Sequence, residues 1–266
     1  VIEAAGIVLD KANNGQLLQA LGGAAGGGLK NLLVNGDFSI SQRNAPGGGV
    51  QLPTTEVPAY TLDRWVGAAD GPAASTNGSM TRIPIPLADS RIGSEPNGDQ
   101  ANALWNVRCT SNNTTTADGL SVEQRVEGLI ELAGHDVTFS IYADTETGFA
   151  ITGRLEIWQH FGDGGSASPA VLVATQNINP GQETGYRRFV VTGTCPNLSG
   201  KTIDGNPSLR VRYAENVGFA FHDTYLALAQ LERGSSPSPF DHRPASLELT
   251  LAQRYYEKSV EPDHDI

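Results

Sequence analysis

Apolar and polar residues alternate with a period of two along four stretches of the chain. Leu120, Val122 and Val126, with Gln124 among them, share one parity of 120–126. Val137, Phe139, Ile141 and Ala143 do so in 137–143, Ile151, Gly153, Leu155 and Ile157 in 151–157, and Leu209, Val211 and Tyr213 in 209–213. Successive side chains of a strand point to opposite faces, so this pattern predicts half-buried antiparallel strands. Further strands are predicted at 31–40, 79–85, 103–109, 186–192, 217–221 and 225–231. In the first of these Leu32, Val34, Gly36, Phe38 and Ile40 form the inward set, with Gly36 at a bulge or close backbone approach. Trp65 and Trp105 are assigned to the core. About ten short strands with no βαβ alternation and no repeated unit predict an all-β chain of two stacked antiparallel sheets.

The two ends follow other patterns. Residues 1–30 hold one short helix, about 11–21, with Asp10 as N-cap, an apolar edge of Leu17, Leu18 and Leu21, and Gly22–Gly23 as its stop. So short a helix is marginal alone and is expected to pack on a partner chain. The Gly/Ala run 22–28 then reads as a flexible connector. Near the other end Gly234, Pro237 and Pro239 break the last strand, Phe240 follows as an apolar anchor, and a short helix opens at Pro244–Ser246. Leu247, Leu251 and Tyr255 lie on one face of that helix. This stripe is read as an assembly surface, with a neighbouring subunit slightly favoured over the chain's own sandwich. The acidic end 261–266 is expected to fray. The domain reading is therefore a connector over 1–30, a sandwich over 31–245 and a C-terminal helix and tail over 246–266.

Composition narrows the function. The chain has 266 residues, 39% of them hydrophobic, and a net charge of −11 from 18 basic and 29 acidic residues. That balance argues against general nucleic-acid binding, which needs clustered Lys and Arg. No apolar run approaches the ~18 residues of a membrane-spanning helix. The N-terminal stretch lacks a basic-then-apolar leader pattern. Cys109 and Cys195 have no metal-ligand spacing and are expected as buried free thiols. The five histidines form no HExxH, and no GxSxG or phosphate-binding loop occurs. Glu123, Glu127, Glu156, Asp144 and Asp163 could supply the two carboxylates of a glycosidase, but a chain this acidic offers many such pairs. No catalytic residue is assigned.

The outward parity of the best strands carries the functional reading. It comprises Ser121, Glu123 and Arg125; Thr138, Ser140, Tyr142 and Asp144; Thr152, Arg154, Glu156, Trp158 and His160; and Arg210 and Arg212. If several of these strands share a sheet, that sheet presents aromatic rings among charged groups. Sugars are held in this way, their C–H faces on Trp or Tyr and their hydroxyls on Arg, Asp or Glu. Tyr142, Arg154, Glu156, Trp158, His160, Arg210 and Arg212 are the glycan-binding candidates. A solvated sheet face and a subunit interface have the same composition, so all three readings stand at this level. The segment 158–169 reads as an exposed hairpin, where binding function tends to lie.

Several longer motifs carry a resemblance. AQLERGSSPSPFDHRP (229–244) followed by ELTLAQRYYEK (248–258) is similar to the closing signature of bacteriophage tail-fibre and receptor-binding proteins with a carbohydrate-binding-module-like jelly roll. NLLVNGDFSISQR (31–43) with YTLDRWV (60–66) resembles the start of that domain, and LSVEQRVEG (120–128) and DVTFSIYAD (136–144) its middle. The resemblance covers the chain after Lys30. It implies a jelly-roll β-sandwich, a homotrimer, attachment to other tail proteins through the N-terminus, a bacterial surface polysaccharide as ligand, no catalysis and no membrane insertion. It also implies synthesis in the bacterial cytoplasm and a place in the virion. The alternatives are a purely structural fibre, collar or baseplate decoration, and a glycan depolymerase. No cofactor is expected beyond a structural calcium ion of the kind such jelly rolls often hold, for which Asn35, Asp37 and Asp223 are loose oxygen-ligand candidates.

Overall fold

The computed structural model describes residues 3–4, 7–8, 29–43, 49–51, 59–70, 78–85, 103–111, 119–145, 151–182, 185–215 and 222–257. The predicted helix with Leu17, Leu18 and Leu21, the predicted strand 217–221 and the acidic end lie outside the described residues.

Two short strands, β1 (Glu3–Ala4) and β2 (Ile7–Val8), pair with each other. Twelve more build a sandwich of two six-stranded sheets in which every pairing is antiparallel. In chain order these are β3 (Gly49–Gln51), β4 (Ala59–Leu62), β5 (Trp65–Asp70), β6 (Ser79–Pro84), β7 (Trp105–Ser111) and β8 (Gly119–Val126). They continue as β9 (Asp136–Thr145), β10 (Gly153–His160), β11 (Val171–Ile178), β12 (Arg187–Thr194), β13 (Ser208–Glu215) and β14 (His222–Arg233). The front sheet runs β11-β10-β13-β8-β5-β4 and the back sheet β12-β9-β14-β7-β6-β3. Only β4–β5, β6–β7 and β10–β11 are consecutive within one sheet; every other step crosses to the opposite sheet, the connectivity of a jelly roll. The all-β sandwich expected from the alternation is thus the fold. A four-residue helix, α1 (Leu129–Leu132), bridges β8 and β9, and α2 (Ala245–Gln253) follows β14.

Both sheets contribute their inward parity to one core. Val122, Phe139, Ile141, Leu155, Ile157, Val211, Tyr213 and Leu226 are among its buried members. Each such side chain contributes about 1.5–3 kcal/mol through lost water contact. Trp65 is fully buried, as expected, whereas Trp105 is only half-buried, with the Arg82 guanidinium 4.1 Å from its ring centroid. Cys109 and Cys195 are free and buried. Several strands escape the alternation rule, the short β4 and β5 among them. β11 is an edge strand with no clean in–out pattern, and β3 joins the back sheet from a Gly-rich stretch that reads as irregular loop.

Residues 31–40 are not a strand. Asn35 and Phe38 adopt φ of 59° and 58°, which turns the chain and replaces the expected parity: Leu33 and Asn35 are buried while Leu32, Val34 and Ile40 are half-buried. This segment completes β14. On that side β7 pairs only with 222–226, and β14 shifts register between Ala227 and Gln230, with Leu228 at φ 47°. Beyond the shift, Leu32 N–H donates to the Leu231 carbonyl (2.7 Å) and Ala229 N–H to the Gly36 carbonyl (2.7 Å). The Asn31 amide bonds Ala229 O (2.9 Å) and Leu231 N–H (3.1 Å). The two backbones come so close that a Cβ on Gly36 would penetrate the Ala229 carbonyl oxygen and sit 2.7 Å from Asn31 Nδ2.

A closing loop covers the outer face of the back sheet. Phe240 is buried there with Ile85, Tyr142, Tyr186, Tyr225 and Leu228. Ser238 bonds Glu232 and the Gln230 side chain, so polar groups under the loop are paired as well. Both parities of β9 are therefore buried.

The C-terminal helix exists, but its docking face differs from the predicted stripe. Its buried residues are Glu248 and Ala252, while Leu247 and Leu251 are half-buried and Tyr255 is exposed. Glu248 accepts from Asn35 N–H (2.7 Å) and pairs with Arg243 Nε (2.9 Å), and Asn35 O in turn accepts from Trp65 Nε1 (2.8 Å). A paired carboxylate holds the helix to its own chain, which a search for apolar faces does not detect.

Two substitutions test these contacts by chemical denaturation. Gly36→Ala is expected to destabilise the sandwich by about 3 kcal/mol, the upper end of overpacking costs. Arg243→Met leaves Glu248 buried without its cation and is expected to cost about 3–5 kcal/mol near neutral pH. Burial already raises the Glu248 carboxyl above its ordinary range, and the unpaired group rises further. A raised folded-state pKa gives stability that is present at low pH and lost as pH rises, so the defect is expected to shrink on acidification.

Candidate functional site

Register places the predicted candidates side by side on the outer face of the front sheet. One row across the sheet reads Thr175, Glu156, Arg212, Glu123, Val66, Tyr60. The adjacent row reads Leu172, Trp158, Arg210, Arg125. Direct partners in antiparallel strands share a face, so these ten side chains form one surface.

Its centre is a lattice of arginines and carboxylates. Glu156 pairs with Arg154 Nε (2.6 Å) and Arg212 NH1 (3.5 Å) and accepts from the Trp158 indole N–H (3.0 Å). Glu123 takes Arg210 NH1 (3.3 Å) and Arg212 Nε (3.9 Å). The Arg210 guanidinium lies 5.2 Å from the Trp158 ring centroid. The indole is therefore fixed at its N–H and flanked by a cation, and it remains half-buried. Burial raises the Glu123 carboxyl pKa, partly offset by Arg210 and Arg125, and lowers that of the Arg212 guanidinium.

Toward β4 the face opens into a hollow of about 180 Å³ lined by Tyr60, Arg64, Val66, Glu123 and Arg125. Tyr60 is 50% exposed. Arg64 sits in the β4–β5 turn at φ 72°, its guanidinium 3.5 Å from the Tyr255 ring centroid and bonded to the Arg125 carbonyl. On the other flank, the β10–β11 connection is pinned to residues 202–204. Gly164 N–H donates to Asp204 O (2.9 Å), Ser166 N–H to its carboxylate (3.1 Å) and Ser168 N–H to Thr202 O (3.0 Å). This hairpin presents Asp163 to Arg125 at 3.1 Å.

The sequence candidates divide accordingly. Arg154, Glu156, Trp158, His160, Arg210 and Arg212 occupy this face together. Tyr142 does not: it lies on β9 of the back sheet, 1% exposed beneath the closing loop. Its parity is outward, but that outside is covered. Tyr60 and Arg64 join the face without a sequence signal, because a four-residue strand and a turn carry no alternation; Glu123 and Arg125, of the outward parity, join it as well. The calcium candidates are engaged separately. Asp37 accepts from Ser39, the Asn35 amide bonds Ile40 and Asp63, and Asp223 accepts from Thr110 Oγ1 (2.6 Å). Among the described residues no group of three or more His, Cys, Asp or Glu is placed to hold a metal ion.

No family model matches the sequence, and no curated protein is similar to it at a significant level. Solved structures resemble it in fold. A cyclase from Fischerella sp. is 12% identical over 77% of this chain and 95% of its own, with a TM-score of 0.48. A putative sugar binding protein from Bacteroides thetaiotaomicron is 11% identical over 77% of this chain and all of its own, at 0.44. The enzymatically active domain of bacteriophage CBA120 tailspike protein 4 is 10% identical over 65% of this chain and 20% of its own, at 0.40.

Burial and the nearby Arg210 and Arg125 push the His160 imidazole down to about 4 from 6.5, with Asp163 opposing. The folded state thus binds this proton less readily than the unfolded chain. The corresponding stability is present above pH 6.5 and lost as pH falls toward 4. Discounted for solvent screening of the half-buried ring, it amounts to roughly 1–2 kcal/mol. His160→Gln is expected to remove that part of the acid sensitivity, read from denaturation midpoints across this window.

Proposed function

We propose that this chain is a non-catalytic glycan-binding protein whose ligand lies across the outer face of the front sheet. The observation that carries the reading is the pairing of accessible aromatic rings, Tyr60 and Trp158, with an ordered Arg/Glu lattice on a single sheet. The lattice is held before any ligand arrives, so little side-chain entropy is lost on binding. Tyr60 and Trp158 stand on strands four steps apart in the sheet, roughly 19 Å at ~4.8 Å per step. A single sugar cannot touch both, so the ligand is an extended oligosaccharide.

The narrower reading is a bacteriophage tail-fibre or fibre-tip protein that recognises a bacterial surface polysaccharide as a homotrimer within the virion. Support for it comes from the sequence motifs at 31–43, 60–66, 229–244 and 248–258. Three copies would raise weak sugar contacts to firm attachment. A depolymerase would need two working carboxylates. Glu123 and Glu156 are each engaged by at least two arginine contacts and largely buried, which favours a binding role for this face.

Tyr60→Ala and Trp158→Ala are each expected to weaken binding to host-derived polysaccharide roughly tenfold, about 1.4 kcal/mol, as measured by calorimetry. Light scattering is expected to give the same oligomeric mass as the parent chain. Unchanged affinity in both variants would remove this face as the ligand site, and loss of assembly with binding intact would favour a structural virion component.

A further inference from the structure

The charge of the front face runs opposite to that of the whole chain. Arg64, Arg125, Arg154, Arg210 and Arg212 stand there against Glu123, Glu156 and Asp163, although the chain as a whole carries −11. The carboxylates are unevenly shared. Glu156 is taken by Arg154 and Arg212, and Glu123 by Arg210 and Arg212. Glu127, near the hollow, is taken by Arg254. Arg64 and Arg125 both line the hollow, with Glu123 the one carboxylate in its wall among the described residues. Arg125's other partner, Asp163, is more than half exposed, and an exposed pair of this kind holds its partners weakly. Two arginines thus line a small hollow beside an exposed tyrosine, Arg64 with one nitrogen given to the Arg125 carbonyl and Arg125 with one on Asp163.

We propose that the hollow between Arg64 and Arg125 takes an anionic substituent of the bound glycan, a carboxylate or a sulfate ester, while the sugar rings lie along Tyr60 and the lattice toward Trp158. The proposal rests on the glycan reading and adds its substrate class: an acidic rather than a neutral polysaccharide. Guanidinium forks match a planar carboxylate or two sulfate oxygens bidentately, and the surrounding protein surface discourages polyanions that lack this fit.

The test uses the full chain and paired probes: polygalacturonate against its fully methyl-esterified form, and dextran sulfate against dextran. Binding is expected to one charged member and to be at least about tenfold weaker for its neutral partner. The pair that responds separates carboxylate from sulfate. Arg125→Gln is expected to reduce binding about tenfold and to flatten its salt dependence, while Arg233→Gln, an exposed site on the back sheet, leaves both unchanged. Equal binding of charged and neutral partners, with Arg125→Gln at parental affinity and Tyr60→Ala weakened, overturns the acidic class and leaves the glycan face standing. Single-stranded DNA bound as tightly as the acidic glycans, with Arg233→Gln equally impaired, reduces the effect to general polyanion attraction and overturns the proposal. No binding to any of these or to a wider polysaccharide panel overturns the glycan reading with it.

Discussion

A buried carboxylate ties the two ends of the sandwich together. Glu248, on the last helix, accepts from the Asn35 backbone and from Arg243, and Asn35 in turn receives the indole N–H of core residue Trp65. Asp241 adds a second tie by accepting from the backbone N–H groups of Lys30 and Asn31. The segment 31–36 can therefore take the place beside β14 that β7 leaves vacant. Without it, the carbonyl and N–H groups at 229–231 would be buried unpaired, at about 1–3 kcal/mol each. The motifs at the two ends of the sequence are halves of one structure, about two hundred residues apart in the chain.

That arrangement explains what the two sheets become. Closing the chain over the back sheet places Phe240 with Tyr142 and Tyr225 and buries its central strands β9 and β14 on both faces. No comparable segment covers the front sheet among the described residues, and its outer parity keeps Tyr60 open and Trp158 half open. The asymmetry of the fold thus leaves the outer face of the front sheet open among the described residues, flanked by the pinned β10–β11 hairpin and the Arg64 turn.

The period-two strands were legible in the sequence because each inner row is uniformly apolar. For the same reason, Arg154, Glu156, Trp158, His160, Arg210 and Arg212 could be assigned to outward parity before their strands were known to share a sheet. Tyr142 shows the limit of parity: it separates the two faces of a strand, and only a distant segment decides whether the outer face is wet. The stretch 31–40 shows another limit. Its residues alternate acceptably, but two left-handed residues and a hydrogen-bonded asparagine redirect the backbone. In α2 the apolar stripe was real, yet the helix docks through Glu248, because a buried ion pair leaves no hydrophobic signature.

The Arg/Glu lattice has a physical consequence for selectivity. Arginines locked by carboxylates on both sides are poor ligands for an anion, since a new partner must displace an existing one. Glu123 and Glu156 engage one guanidinium nitrogen each of Arg154 and Arg210 and two of Arg212, and so cross-link these side chains across the face. Arg64 is held by the Arg125 carbonyl and the Tyr255 ring, and Arg125 by one exposed aspartate. Carboxylate cross-links thus give the lattice a fixed shape, and on the proposed reading the hollow beside it is the place for negative charge. On that proposal a neutral sugar would use the lattice alone, whereas an acidic one would engage the hollow as well.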